Sequence, residues 1–268
     1  MKRYLEYDGL KVLAHRGGAE ESFENTLESF EYSQSIGCEF IETDVQASSD
    51  GVPYIFHDDD LKRILNKSVK FNELSSKEID ELQIFEKYKI PKLSETLIQF
   101  PNLLFQIDFK TDEVVDPALT VIHELNVMDR VCIASFSSNR LNKVRSLNSE
   151  LCISIGPSEV LQTFLSSWNL YKGEIVGDCL QIPIRYYGLK IVTKRFVDLP
   201  EAKGKYMKYF EGEDRRLSRI EYRRTKGRAC RRRDESISNK LKQVHTPWYK
   251  RKTPNSVHIP GTVLFDLE

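Results

Sequence analysis

Short apolar segments alternate with stretches of helical periodicity over the first 210 residues of the chain. This alternation predicts a parallel sheet with helices on its outer face. About eight such repeats favour an α/β fold of the closed (β/α)8, or TIM-type, barrel class over an open doubly wound sheet. The predicted strands span residues 11–14, 40–45, 52–56, 103–109, 131–136, 151–155, 179–182 and 206–210.

The segments between the strands carry helix signals. Residues 25–35, 94–100 and 139–147 place apolar side chains at helical spacing, and residues 75–82 open with a serine cap and an acidic first turn. One connection is different, because only about seven residues separate the second and third strands, too few for a crossover helix. Asp50 and Gly51 suit a tight turn, so a hairpin and an extended crossover both stay open.

Polar side chains stand where the predicted strands end. His15 follows the first strand, and Glu42 and Asp44 alternate on the second. His57 ends the third strand, and Asp108 ends the fourth. Because the carboxyl ends of barrel strands converge on one mouth, we expect these five side chains to face one cavity. Residues two apart on a strand share a face, which puts both carboxylates of the second strand on the same side.

Three carboxylates that face one cavity repel one another unless a cation lies between them. Oxygen ligands without cysteine favour Mg²⁺ or Ca²⁺ over zinc. Arg16 and Lys110 would lie beside that cation, and both side chains suit an anionic phosphate. Two histidines next to a metal-bound phosphate can act as general acid and base. The pattern therefore predicts cleavage of a phosphodiester.

Several motifs together resemble the glycerophosphodiester phosphodiesterase family, in its cytosolic bacterial form. They are HRGG at 15–18, ENTLESF at 24–30, IETDV at 41–45, SDGVPYIFHDDDLKR at 49–63, IPKLSETL at 90–97 and CLQIPIRYYGLKIVTKRFV at 179–197. The resemblance covers roughly residues 10–210. It implies a phospholipase C-like barrel that hydrolyses glycerophosphodiesters to glycerol 3-phosphate and an alcohol, with a divalent cation, Mg²⁺ or Ca²⁺.

The resemblance also implies roles for individual residues. One histidine takes the proton of the nucleophile, and the other protonates the leaving alkoxide. The implied residues are His15 and His57 for catalysis, Arg16 and Lys110 for substrate binding, and Glu42, Asp44 and Asp108 for the metal.

The sequence departs from the family pattern in two places. Asp108 stands where the family usually has glutamate, so this ligand is one methylene shorter. Beyond residue 210 the closing motifs of the family have no counterpart, which indicates that the last strand and helix of the barrel are missing or replaced. Two alternative functions stay open. One is a pseudoenzyme that binds metal and phosphate without turnover because its barrel is incomplete, and the other is a related phosphodiesterase that acts on lysolipids.

The segment after the barrel has a different character. The whole chain holds 40 Lys and Arg against 40 Asp and Glu, yet residues 215–252 hold fifteen Lys and Arg against three Asp and Glu, a local net charge of +12. Because so few apolar residues cannot offset chain entropy, we expect a barrel domain at 1–210 and a poorly ordered basic tail at 211–268. The tail has three interpretations. It is a solvated surface, it binds nucleic acid or phospholipid, or it results from translation in a shifted reading frame.

Further features bear on location and partners. No apolar run approaches the roughly 20 residues of a membrane helix, and the start of the chain lacks the apolar core of a signal peptide. The five cysteines lack CxxC spacing and fit reduced, mostly buried thiols. We expect a cytoplasmic protein without a membrane span that binds a small glycerophosphodiester. Nucleic acid is not the expected partner, and the sequence does not indicate an oligomeric state.

The domain boundary leads to a prediction for limited proteolysis. A protease should first cut between Glu211 and Lys252, because backbone outside a packed core is accessible. Mass spectrometry of the first fragments should identify a resistant product that ends near residue 210. Early cuts between residues 14 and 110 would contradict this division of the chain.

Overall fold

The computed structural model describes residues 2–6, 13–18, 22–183, 185–186, 189–190, 196, 206–210 and 264–265. The strands within these ranges are β1 Leu13–Ala14, β2 Phe40–Ala47, β3 Pro53–Ile55, β4 Leu104–Phe109, β5 Val131–Ala134, β6 Cys152–Ile153, β7 Cys179–Pro183, β8 Arg185–Tyr186, β9 Leu189–Lys190, β10 Tyr206–Phe210 and β11 Leu264–Phe265.

Some of the described helices begin at capping residues that the sequence carries. Thr26 and Ser75 each accept a hydrogen bond from the backbone N–H three residues on, which satisfies a donor that the first helical turn leaves open. The described helices are α1 Leu27–Ser35, α2 Lys62–Leu65, α3 Ser76–Glu81, α4 Leu93–Gln99, α5 Val115–Glu124, α6 Ser138–Leu147 and α7 Pro157–Ser167.

The main sheet is parallel apart from one strand. Its order is β1-β2-β4-β5-β6, and a bridge between Ser154 and Cys179 leads from the end of β6 to β7. Strand β10 pairs with β7 in parallel, and β11 pairs with β10 antiparallel. Because helices separate most of the parallel strands, this is the predicted barrel topology. The antiparallel β11 differs from the parallel strand that would close a complete barrel, so the described strands form an incomplete TIM-type barrel.

Strand β3 is not a barrel strand. It pairs antiparallel with β2, with Val45 opposite Ile55, and the connection turns at Gly51, whose φ is +83°. The hairpin alternative is therefore the right one, and the expectation that His57 ends a third barrel strand is wrong. Seven residues cannot form a crossover helix, whereas a glycine with positive φ permits a tight reversal. The hairpin nevertheless brings residue 57 back to the β2 end that carries Asp44, because Phe56 N–H donates to Asp44 O at 3.0 Å.

The two faces of the barrel strands pack in different places. Outward-facing Ile41, Val45, Phe105 and Ile107 belong to the large apolar cluster between the sheet and the helices. Their neighbours Glu42, Asp44, Gln106 and Asp108 point the opposite way, since successive side chains alternate across a strand. Tyr4, Leu13, Phe40 and Leu104 pack inside the barrel in a second cluster. The outer cluster therefore stabilises the strands and leaves their inner face available for polar groups.

The segment after residue 210, predicted as a poorly ordered basic tail, lies outside the described residues except for β11. The domain boundary at residue 210 stays a prediction for the same reason. None of the helices in the described ranges combines the length and the apolar character that crossing a membrane requires.

Candidate active site

Three buried carboxylates face the same side of two adjacent strands. Glu42 and Asp44 lie on β2, and Asp108 on β4 is in register with Asp44. The exposed fractions of Glu42, Asp44 and Asp108 are only 7%, 2% and 5%. The parallel pairing of β2 with β4 thus brings together residues that are more than 60 positions apart in the sequence.

Two cationic side chains lie against these carboxylates. Lys110 Nζ is 3.2 Å from Asp108 Oδ2 and 3.4 Å from Asp44 Oδ1, so its ammonium group bridges the two strands. Arg16 Nε is 3.4 Å from Asp44 Oδ2, and the Arg16 backbone N–H donates to Glu42 Oε2 at 3.0 Å. The ion pairs offset part of the cost of burying several carboxylates in one place.

The compensation is incomplete. Burial, followed by the charge of Asp44, raises the pKa of Glu42 well above its ordinary value. Burial also raises the pKa of Asp108, although Lys110 opposes this shift. Burial acts to lower the pKa of Lys110, but the carboxylates of Asp108 and Asp44 outweigh it and raise that pKa overall. Further positive charge in this cavity would therefore favour the ionised carboxylates.

The carboxylates have the donor chemistry for a hard divalent cation but a wide spacing. Asp108 Oδ1 is buried and has no hydrogen-bond partner among the residues that the structure describes. Among the described residues, however, Glu42, Asp44 and Asp108 do not offer three oxygen atoms that all lie within 4.8 Å of one another. Two oxygens on one Mg²⁺ or Ca²⁺ are at most about 4–5 Å apart. A shared cation therefore requires these side chains to converge and the Lys110 ammonium to move from between them.

His15 lies where β1 ends, on a tight turn that spans His15–Gly17. His15 Nε2 is 3.9 Å from Glu42 Oε2. Burial, together with the Arg16 charge, lowers the pKa of His15 to about 4, so its ring is neutral near pH 7. Gly17 makes the turn possible, because its φ is +76° and a Cβ atom there would lie 2.5 Å from Phe30 Cδ1.

His57 follows β3 and is held by a chain of charged groups. Its Nδ1 atom lies 2.6 Å from Asp58 Oδ1, and Asp58 Oδ2 accepts a hydrogen bond from Arg63 Nε at 2.6 Å. Arg63 also donates to Glu24, which in turn accepts from Arg16 at 3.2 Å. We call Asp58, Arg63 and Glu24 the charged relay, because they connect His57 to Arg16 on the other side of the site.

A further polar residue fixes Asp44. Asn25 Nδ2 donates to Asp44 Oδ2 at 3.0 Å, and Asn25 Oδ1 accepts from Thr43 Oγ1 at 2.8 Å. Asn25 and the three residues of the charged relay are not among the site residues predicted from the sequence. All of them lie inside the motifs ENTLESF and HDDDLKR, so membership of these motifs was the signal that could have identified them.

The structure thus brings six of the predicted residues into direct contact and connects the seventh. Arg16, Glu42, Asp44, Lys110 and Asp108 form one chain of ion pairs and hydrogen bonds, and His15 Nε2 lies 3.9 Å from Glu42 Oε2 at its end. The charged relay joins His57 to Arg16. Buried carboxylates, cations and two imidazoles at one barrel mouth are typical of a hydrolase that acts on phosphodiesters.

Comparison with known proteins agrees with this class. The model of the glycerophosphoryl diester phosphodiesterase family matches residues 15–162, more than half of the chain. The chain therefore belongs to the glycerophosphoryl diester phosphodiesterase family. Members of this family generally depend on a divalent cation.

Individual relatives show how far the similarity extends. A Mycobacterium tuberculosis protein named "Probable glycerophosphodiester phosphodiesterase 2" is 29% identical over 202 residues, which cover 71% of this chain and 75% of that protein. Human lysophospholipase D GDPD1 is 31% identical over 118 residues, which cover 39% of this chain and 38% of that protein.

Solved structures share the fold. An Oleispira antarctica phosphodiesterase, determined in complex with the product sn-glycerol-3-phosphate, superposes with a TM-score of 0.65 at 23% identity. The superposition covers 80% of this chain and 89% of that one. At this level of identity, the likeness supports the barrel fold.

The bridging position of Lys110 leads to a prediction about stability. Replacement of Lys110 by methionine should lower the melting temperature without added metal, because Asp44 and Asp108 lose a buried cation. The free energy of unfolding should fall by about 1–3 kcal/mol. Protonation of Asp108 limits this loss, because it removes one of the two unpaired charges. Millimolar Mg²⁺ should raise the melting temperature of this variant more than that of wild type.

A surface lysine supplies the matched control for this melt. Lys92 pairs with Asp80 at 2.7 Å on the surface, so Lys92→Met should change both quantities little. If Mg²⁺ raised the melting temperatures of Lys110→Met and Lys92→Met by the same amount, the Lys110 ammonium group would not occupy the position of the metal ion.

Proposed function

We propose that this site performs the reaction of its family, hydrolysis of a glycerophosphodiester to glycerol 3-phosphate and an alcohol. The observation that carries the proposal is the cluster of Glu42, Asp44 and Asp108 in contact with Lys110 and Arg16 at the carboxyl end of the barrel strands. The mouth of a TIM-type barrel at this end is where such folds build their active sites.

Glu42, Asp44 and Asp108 would hold the divalent cation, Mg²⁺ or Ca²⁺. Their oxygen-only donor set and their burial support this assignment, as does Asp108 Oδ1, which has no partner within the described part of the chain. A cation bound there would neutralise charge on the phosphoryl oxygens as it develops in the transition state. The shorter side chain of Asp108, where the family usually has glutamate, supports a weaker hold on the metal from this strand.

Arg16 and Lys110 would bind the phosphate of the substrate. Both cations lie beside the proposed metal ligands, within 3.4 Å of Asp44 oxygens. If the Lys110 ammonium leaves its bridge between the carboxylates, its three donors become available to an anionic oxygen. The same side chain would then stabilise carboxylates in one state of the site and phosphate in the other.

His15 and His57 would transfer the protons of the reaction. The Asp58 carboxylate engages Nδ1 of His57, which fixes the ring and leaves Nε2 for proton exchange with the substrate. His15 adjoins Glu42 on the other side of the cavity, so the two imidazoles approach the phosphate position from different elements. One ring would take the nucleophile's proton, and the other would donate to the leaving alkoxide.

Turnover of glycerophosphocholine, followed by release of glycerol 3-phosphate, tests this function. Wild type should be active with Mg²⁺ or Ca²⁺ and inactive in excess EDTA. His15→Ala and His57→Ala should each lose about 10²–10⁴-fold in kcat, because each removes a proton-transfer group. His123→Ala, on the exposed last turn of α5, is the matched control and should keep wild-type activity.

Two results would overturn the assignment. Hydrolysis that resists EDTA would exclude the proposed metal role, and near-normal turnover in either histidine variant would exclude that residue as the acid or base. A wild type whose melting temperature responds to metal but that never turns over would instead be the pseudoenzyme.

Lysolipids are the second candidate substrate class. The similarity to human lysophospholipase D GDPD1 supports this class. Phe136, two residues after β5, supports it as well, because its side chain is 82% exposed and its ring centre lies 5.8 Å from Lys110 Nζ. An apolar side chain beside a phosphate-binding lysine could contact an acyl chain. A higher kcat/KM for lysophosphatidylcholine than for glycerophosphocholine would make this the preferred class.

The charged relay leads to a prediction about kcat. Asp58→Asn should lower kcat roughly 10²-fold with little change in KM, because the imidazole of His57 loses the carboxylate that orients it. Asp59→Asn, at the exposed neighbouring position, is the matched control. Asp58→Glu should restore part of the rate. A change confined to KM or to the melting temperature would mean that Asp58 has only a structural role.

A further inference from the structure

Three cysteines from neighbouring strands meet inside the barrel. Cys132 lies on β5, Cys152 begins β6 and Cys179 begins β7. Each is buried, with an exposed fraction of at most 1%. Their sulfur atoms all lie within 4.8 Å of one another, and Cys132 Sγ is 3.3 Å from Cys179 Sγ. We call these three residues the cysteine cluster.

The cysteine cluster lies apart from the proposed hydrolytic groups. It packs with Tyr4, Leu13, Phe40 and Leu104 inside the barrel. Phe40 precedes Glu42 by two residues on the same face of β2, so the cluster is on the amino-terminal side of the carboxylates. None of the steps proposed for hydrolysis uses a thiol.

The spacing of the sulfur atoms matches one coordination sphere. A cation about 2.3 Å from each of three sulfurs holds them roughly 4 Å apart. The separation of 3.3 Å between Cys132 Sγ and Cys179 Sγ is shorter than this value, and the other two separations are no longer than 4.8 Å. Buried thiols can also pack simply as small apolar groups, but apolar packing alone does not require three sulfurs to face one point.

We propose that the cysteine cluster binds a soft monovalent cation, Cu(I). Thiol sulfur is a soft donor that selects such a cation over Mg²⁺ and Ca²⁺. Within the described part of the chain, no carboxylate or imidazole joins the three sulfurs, whereas structural zinc almost always takes four ligands.

The proton balance of binding follows from the state of the sulfur ligands. Cysteine binds a metal as the thiolate, so each sulfur that would coordinate copper loses its S–H proton to solvent and forms one copper–thiolate bond. Copper stays in its +1 state.

Anaerobic titration of the full chain with Cu(I), in competition with bicinchoninate, tests the site. Cys38 lies outside the cluster and Cys230 lies outside the described residues, so both are first replaced by serine to remove other thiols. We expect one copper per chain, near-ultraviolet sulfur-to-copper absorption and a higher melting temperature. Millimolar Mg²⁺ should not displace the copper.

Cys152→Ala in the same background should lose the copper and the absorption. A thermal melt establishes whether this variant is folded, and Cys179→Ser serves as the second variant if it is not. Copper retained in a folded variant would place the binding elsewhere and overturn the proposal. Failure of the parent protein to retain copper against the competitor would also overturn it, and the cluster would then be apolar packing.

Discussion

The burial of three carboxylates in one cavity is the constraint on which the rest of the site depends. Desolvation favours the neutral form of Glu42 and of Asp108, and the charge of Asp44 also raises the pKa of both. Lys110 and Arg16 supply the opposing positive charge from within 3.4 Å of Asp44. With the roles proposed above, a bound cation and an anionic substrate would favour each other, because each would stabilise the groups that hold the other.

Strands β2 and β4 contribute to both the apolar core and the candidate active site. On β2 and β4 the outward side chains pack against the helices, and this packing makes burial of polar groups on the inner face tolerable. The hairpin of β2 with β3 extends this arrangement beyond the barrel and places His57 next to the strand end. In the charged relay, Asp58 then contacts the His57 ring and Arg63 holds Asp58 in place, both outside the barrel strands. Rigid strands and a short loop thus hold groups from distant parts of the chain.

Much of the site could be predicted because the chemistry is local in sequence. Glu42 and Asp44 alternate on one strand, so a period of two was a sufficient signal that their side chains share a face. The pairing of β3, the strand before His57, was harder to predict. A seven-residue connection permits two pairings, and only tertiary contacts select the antiparallel one. Helices α5 and α7 were not singled out from the sequence, although the structure has both.

The sequence by itself determined the barrel class, the family and the identity of the charged residues, because each depends on periodicity or on contiguous motifs. Tertiary structure decided which groups meet. Strand register sets Asp44 beside Asp108 and Lys110 between them, and it brings Cys132, Cys152 and Cys179 together although they lack any metal-binding spacing. In a parallel barrel, neighbours inside the cavity come from successive βα repeats. Their contacts therefore depend on register and closure, which no local pattern records.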